Sequence, residues 1–214
     1  MALRTALLAL PMILYAVSGH AAVILTANLT NSQENPPTVP TTSTGNPRPA
    51  SFGTATFELN DAMTALTMNA SVFNIDFTGT QTPDPFDNLT NAHIHAAAPP
   101  GTNTGVVWGF IGLPFNDTNP NNVVVTPFLN GVGGTVTGAW DAAEGNGTTL
   151  AAQLPSILAG LSYINFHTVQ FAGGETRGQI LPVPEPASMA LFGIGLAGLV
   201  GVRLGRFRRR PASR

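Results

Sequence analysis

The 214-residue chain contains no cysteine and no lysine. Without cysteine there is no disulfide framework, no thiolate metal centre and no cysteine nucleophile, so the fold must rest on its core. Between residues 22 and 182 positive charge is nearly missing too: Arg48 and Arg177 stand against ten acids, a formal charge of −8. Such a body repels phosphate backbones and excludes nucleic acid as a partner. Catalytic signatures are also missing. No serine sits in a nucleophile elbow, no glycine-rich phosphate loop follows a strand, and no carboxylate pair has catalytic spacing. The sequence makes no positive case for an enzyme, and no internal repeat of fixed period is present.

What the chain does have is glycine (23), proline (18) and alternating apolar residues, a balance that suits short strands joined by turns. Val23 to Asn31 reads as a first strand. Gly53, Ala55, Phe57 and Leu59 fall on one face of a second, and Leu66, Met68, Ala70 and Val72 on one face of a third. Further strand candidates are Leu89 to Ala96, Gly105 to Gly112, segments of Val123 to Trp140, Leu161 to Val169 and Glu175 to Leu181. One short helix is expected where Thr148 and Thr149 offer a cap and Leu150, Leu154, Ile157 and Leu158 face the core. About seven or eight strands in one domain predict an all-β fold, an antiparallel Greek-key sandwich or barrel with one short helix.

The two ends read as addresses. Residues 1–22 have the parts of a signal peptide: Arg4, an apolar run from Ala6 to Val17, and the small-residue stretch Ser18 to Ala22. Residues 183–214 hold Pro184-Glu185-Pro186, then an apolar run from Ala187 to Val202, then Arg203, Arg206, Arg208, Arg209 and Arg210. As a helix that run is about 24 Å long, enough to cross a membrane once flanking arginines snorkel. The arginine cluster keeps the last residues cytoplasmic and places the body, residues 23–182, outside. The order of motif, apolar span and arginines resembles the PEP-CTERM signal of Gram-negative bacteria. That resemblance implies recognition by an exosortase-type membrane protease, transient anchoring in the inner membrane, cleavage near the motif, and release to the cell surface or extracellular polysaccharide. A retained single-span anchor has the same hydropathy.

Four fragments of the body, in chain order, carry a second resemblance: Gln33-Glu34-Asn35-Pro36-Pro37, Gly53-Thr54-Ala55-Thr56-Phe57, Ala92-His93-Ile94-His95, and Tyr163-Ile164-Asn165-Phe166-His167-Thr168 followed by Gly174-Glu175-Thr176-Arg177-Gly178-Gln179-Ile180. Together they resemble the chordin-type (CHRD) domain, which implies a secreted, β-rich module.

The constellation that could carry chemistry is His93, His95, His167 and Glu175. His93 and His95, spaced i, i+2 on a strand, project from one face and could present two metal ligands, with His167 and Glu175 completing the set; copper or zinc suits imidazole best. The same histidines could instead hydrogen-bond to Asn165, Tyr163 or Glu175 within strand faces. Glu175 and Arg177 read as a charge pair on an edge strand, or as an arginine bonding loop carbonyls, and Gln33 and Glu34 as ties between the proline-rich loop and the sheet. Three histidines are too few for the binuclear site of a superoxide dismutase. The expectation is therefore an exported binding or structural module of the envelope, with an envelope protein or exopolysaccharide as partner and no required cofactor; the alternative is a metal-binding protein or metalloenzyme.

Overall fold

The computed structural model describes residues 22–184 and Gly193. Nine strands and one helix follow in order: β1 Val23–Thr30, β2 Phe52–Leu59, β3 Ala65–Phe73, β4 Leu89–Ala96, β5 Val106–Ile111, β6 Val124–Pro127, β7 Gly133–Asp141, α1 Leu150–Leu158, β8 Ser162–Thr168 and β9 Thr176–Pro182. The strands form one antiparallel sheet in the order β5-β4-β8-β9-β1-β2-β3-β7-β6. The last strand thus returns to lie beside the first.

The sheet curls until its two ends face each other across one core. Trp108 on β5 and Trp140 on β7 stack with ring centres 5.9 Å apart, although six strands separate β5 from β7 in the sheet. Both indoles are fully buried and need acceptors for their N–H groups. Trp108 Nε1 donates to Glu144 Oε2 at 3.1 Å and Trp140 Nε1 to the Glu144 carbonyl at 2.9 Å. Phe110 and Phe166 meet edge to face at 6.0 Å inside the same core. The sandwich or barrel expected from the sequence is realised as this single curled sheet, in which β5 and β6 are the end strands.

Alternation places the core as the sequence predicts. Leu25, Ala27 and Leu29 of β1, Ala55, Phe57 and Leu59 of β2, and Leu66, Met68, Ala70 and Val72 of β3 are all buried. Thr149 caps α1, its Oγ1 accepting from the Ala152 N–H at 3.3 Å, and Leu150, Leu154 and Ile157 point inward. Leu158, expected on that inner face, is 36% exposed because the last turn of α1 leads it away from the sheet. The predicted signal peptide and membrane-spanning tail lie outside the described residues. Among the described residues, no helix is long and apolar enough to cross a membrane.

Candidate metal centre

Strands β4 and β8 pair antiparallel, with Asn91 opposite His167, His93 opposite Asn165 and His95 opposite Tyr163. Strand β9 continues the rows, with Asn165 opposite Arg177 and Tyr163 opposite Gln179. Directly paired residues share a face, so His93, His95, His167, Asn165, Tyr163, Arg177 and Gln179 all stand on the side of the sheet away from the apolar core. Yet every one of them is buried. Loops cover them, and the loops supply the backbone partners that a buried polar layer requires.

The three histidines come together as expected: one ring nitrogen from each lies within 4.8 Å of the others. His93 Nδ1 stands 3.1 Å from His167 Nε2, and the latter is also 3.1 Å from Asn165 Oδ1. Each ring meets one loop carbonyl through its remaining side: His93 Nε2 with Leu113 O at 3.1 Å, His95 Nδ1 with Thr104 O at 2.8 Å, and His167 Nδ1 with Ala172 O at 2.9 Å. His95 Nε2 is buried without a hydrogen-bond partner. Its ring instead stacks on Tyr163, centres 4.6 Å apart and planes 5° from parallel. Nothing in the sequence pattern marks Leu113, Thr104 or Ala172, because a backbone carbonyl carries no residue-type signal.

Burial holds the histidines neutral. Desolvation, then the neighbouring His167 and His95, brings His93 down to about 4; desolvation does the same to His95, and lowers His167. Glu34 moves the other way. Burial pushes its carboxyl up to about 7, against the pull of the Arg177 charge.

Glu175 stands apart from the histidine group. Its carboxylate accepts from both terminal nitrogens of Arg48, with Nη1 at 2.8 Å, and from Thr168 Oγ1 at 2.6 Å. This ion pair is buried and pins the proline-rich loop to the turn between β8 and β9. Arg48 was not singled out by the sequence, though it is one of two basic residues in the acidic body. The charge pair of Glu175 and Arg177 on an edge strand does not form, since Glu175 is held by Arg48 and β9 is an interior strand between β8 and β1; the other reading, an arginine bonding a loop carbonyl, is what Arg177 does. Arg177 lies over the Tyr163 ring, 3.4 Å from its centre, and donates to Thr102 O at 2.9 Å, Asn103 Oδ1 at 3.2 Å and Gln179 Oε1 at 3.2 Å. Gln33 does tie its loop to the sheet, its Oε1 accepting from the Gln179 N–H at 3.3 Å.

Of the sorting motif, Pro184 ends the described stretch, while Glu185, Pro186 and the arginines from Arg203 to Arg210 lie outside it. The sequence model of the CHRD domain matches residues 25–180, most of the chain and all of the sheet except the first two residues of β1 and the last two of β9. That of the PEP-CTERM protein-sorting motif matches residues 182–210. Such signals mark proteins that are exported, sorted to the cell surface and processed by exosortase, a membrane enzyme. No curated protein and no solved structure matches the chain.

Proposed function

The chain belongs to the CHRD domain family, and we propose that it works as a binding or structural module of the bacterial envelope, without enzymatic activity, freed from the inner membrane by an exosortase-type protease. One observation carries this reading. Strand β9 ends at Pro182, the residue at which the sorting motif begins. A cut within the motif therefore leaves all nine strands in place, and among the described residues the last sheet contact beyond β9 is the Val183 N–H donating to Ile24 O at 2.9 Å. Residues 1–22 act as the export signal, and the apolar run 187–202 as a temporary anchor whose arginines face the cytoplasm.

The partner is an envelope protein or exopolysaccharide, met by a body with two arginines and ten acids. A metalloenzyme is the weaker reading, because among the described residues the histidine group includes no carboxylate to act as general acid or base. Replacing Pro184, Glu185 and Pro186 by alanines tests the sorting step. Export should continue while the protein accumulates in the inner membrane at its full tail length, as read by fractionation and intact mass. Release at the normal rate, with normal trimming, would overturn the reading.

A further inference from the structure

The three histidines are arranged so that their unprotonated nitrogens have no donor to meet. Leu113 O, Thr104 O and Ala172 O can only accept, so the nitrogens facing them, His93 Nε2, His95 Nδ1 and His167 Nδ1, carry the ring protons. In the neutral rings the lone pairs then fall on His93 Nδ1, His95 Nε2 and His167 Nε2. The first and third of these face each other at 3.1 Å, and Asn165 Oδ1, another acceptor, stands 3.1 Å from His167 Nε2. The second is buried with no partner at all. Acceptors pressed together in a dry site are costly unless a cation lies among them.

A proton on His167 Nε2 would relieve the contacts with His93 and Asn165, but would leave His95 Nε2 an orphan. A metal ion relieves all three at once. We propose that His93 Nδ1, His95 Nε2 and His167 Nε2 form a three-imidazole site for one copper or zinc ion. The loop carbonyls then play the part of outer partners that donate no charge but fix each ring's tautomer and orientation, as such partners do at metal-bound histidines. An all-nitrogen set selects the imidazole-preferring transition metals and not calcium or magnesium, which need oxygen ligands. Metal to nitrogen bonds of about 2.0–2.1 Å put tetrahedral ligand pairs about 3.3–3.4 Å apart. The His93 and His167 nitrogens already stand close to that spacing, and each of the three rings offers a nitrogen within 4.8 Å of the other two. Asn165 Oδ1 is placed as a weak fourth donor, and Glu175 is not needed, being held by Arg48.

The site does not depend on how the chain is sorted. The full chain, purified in detergent, stripped with a chelator and then titrated calorimetrically with zinc, should take up one ion. His95→Gln should weaken binding by more than the ~10- to 100-fold that loss of an outer partner costs. Uptake that is absent, or unchanged in His95→Gln, overturns the proposal. Because that variant could fail to fold, the parent loaded with one equivalent of copper(II) gives a second readout. Nitrogen hyperfine structure from three imidazoles in its electron paramagnetic resonance spectrum supports the site, and the spectrum of solvated copper overturns it.

Discussion

Strands β2 and β8 belong to one sheet and treat their outer faces in opposite ways. Along β2 every second residue is exposed, from Phe52 through Thr54 and Thr56 to Glu58; along β8 every residue from Ser162 to Thr168 is buried. The inner faces meet in one apolar core, although that of β8 carries Ser162 beside Ile164 and Phe166, and Thr176 of β9 stands opposite Phe166. What differs is cover: the segments carrying Glu34, Thr104, Leu113 and Ala172 fold over β4, β8 and β9, while β2 and β3 have solvent outside them. Covering a polar face is stabilising only where each polar group finds a partner. Six buried polar side-chain atoms among the described residues have none, those of Asn31, Glu34, Asn88, His95, Ser162 and Thr176, and none lies on β2 or β3. The covered half is where the fold accepts polar strain, and it is where the histidines sit.

If the inner faces are equivalent, truncating either should cost the same. Phe57→Ala on β2 and Phe166→Ala on β8, both fully buried, should each lose about 3–5 kcal/mol in urea unfolding. A Phe57 cost far below that of Phe166 would break the single-core picture. The cover itself is tested next by Arg48→Met, which strands the buried Glu175 carboxylate and should cost about 3–5 kcal/mol. Adding Glu175→Gln should recover part of that loss, because a neutral amide has less need of the cation.

This contrast also separates what could be read in the sequence from what could not. The inner face was legible because period-2 alternation in Ser51 to Asn60 and Leu66 to Val72 has one physical meaning. His93 and His95 were legible for the same reason, since i, i+2 on a strand puts both on one face. Asn165 and Tyr163 were legible as their neighbours, but the loop carbonyls and the mate of Glu175 were not. Glu175 looked like a ligand, or the mate of Arg177, because sequence proximity stands in for contact when no fold is known. Its true mate, Arg48, arrives from a loop 127 residues away. Leu158 failed differently: helical spacing put it inward, but a helix of nine residues lying on a curled sheet turns its last residue out.

The covered half should also show in pH. Glu34 has its carboxyl raised from 4.5 to about 7, chiefly by burial, while the charge of Arg177 and the amide groups of Asn165 and Asn35 oppose the rise; Tyr163 is the other titratable neighbour. A raised carboxyl stabilises the folded chain fully below its unfolded value near 4.5, and that contribution is lost as pH climbs through about 7. The swing is about 3 kcal/mol. The histidines act in the opposite sense, losing stability as pH falls below their unfolded value, so the difference between parent and Glu34→Gln isolates the carboxyl. Relative to Glu34→Gln, the parent should lose stability between pH 4.5 and 7; a flat difference would mean that Glu34 is hydrated and the cover loose.

The smallest effect belongs on the uncovered side. Thr56 stands on the outer face of β2, exposed, opposite Asn69 of β3 and two residues from exposed Glu58. Its hydroxyl donates a long bond to Asn69 O at 3.4 Å, which water can replace. Lysine there loses some of the strand preference of a β-branched residue but gains a weak attraction to Glu58 in a body that otherwise has no lysine. The two nearly cancel, and Thr56→Lys should shift unfolding stability by no more than about 0.5 kcal/mol. The same urea titration at several protein concentrations completes the test. A loss well above that bound, growing with concentration, would mean that a second copy covers β2, and that the outer faces of β2 and β8 differ in what buries them and not in whether they are buried.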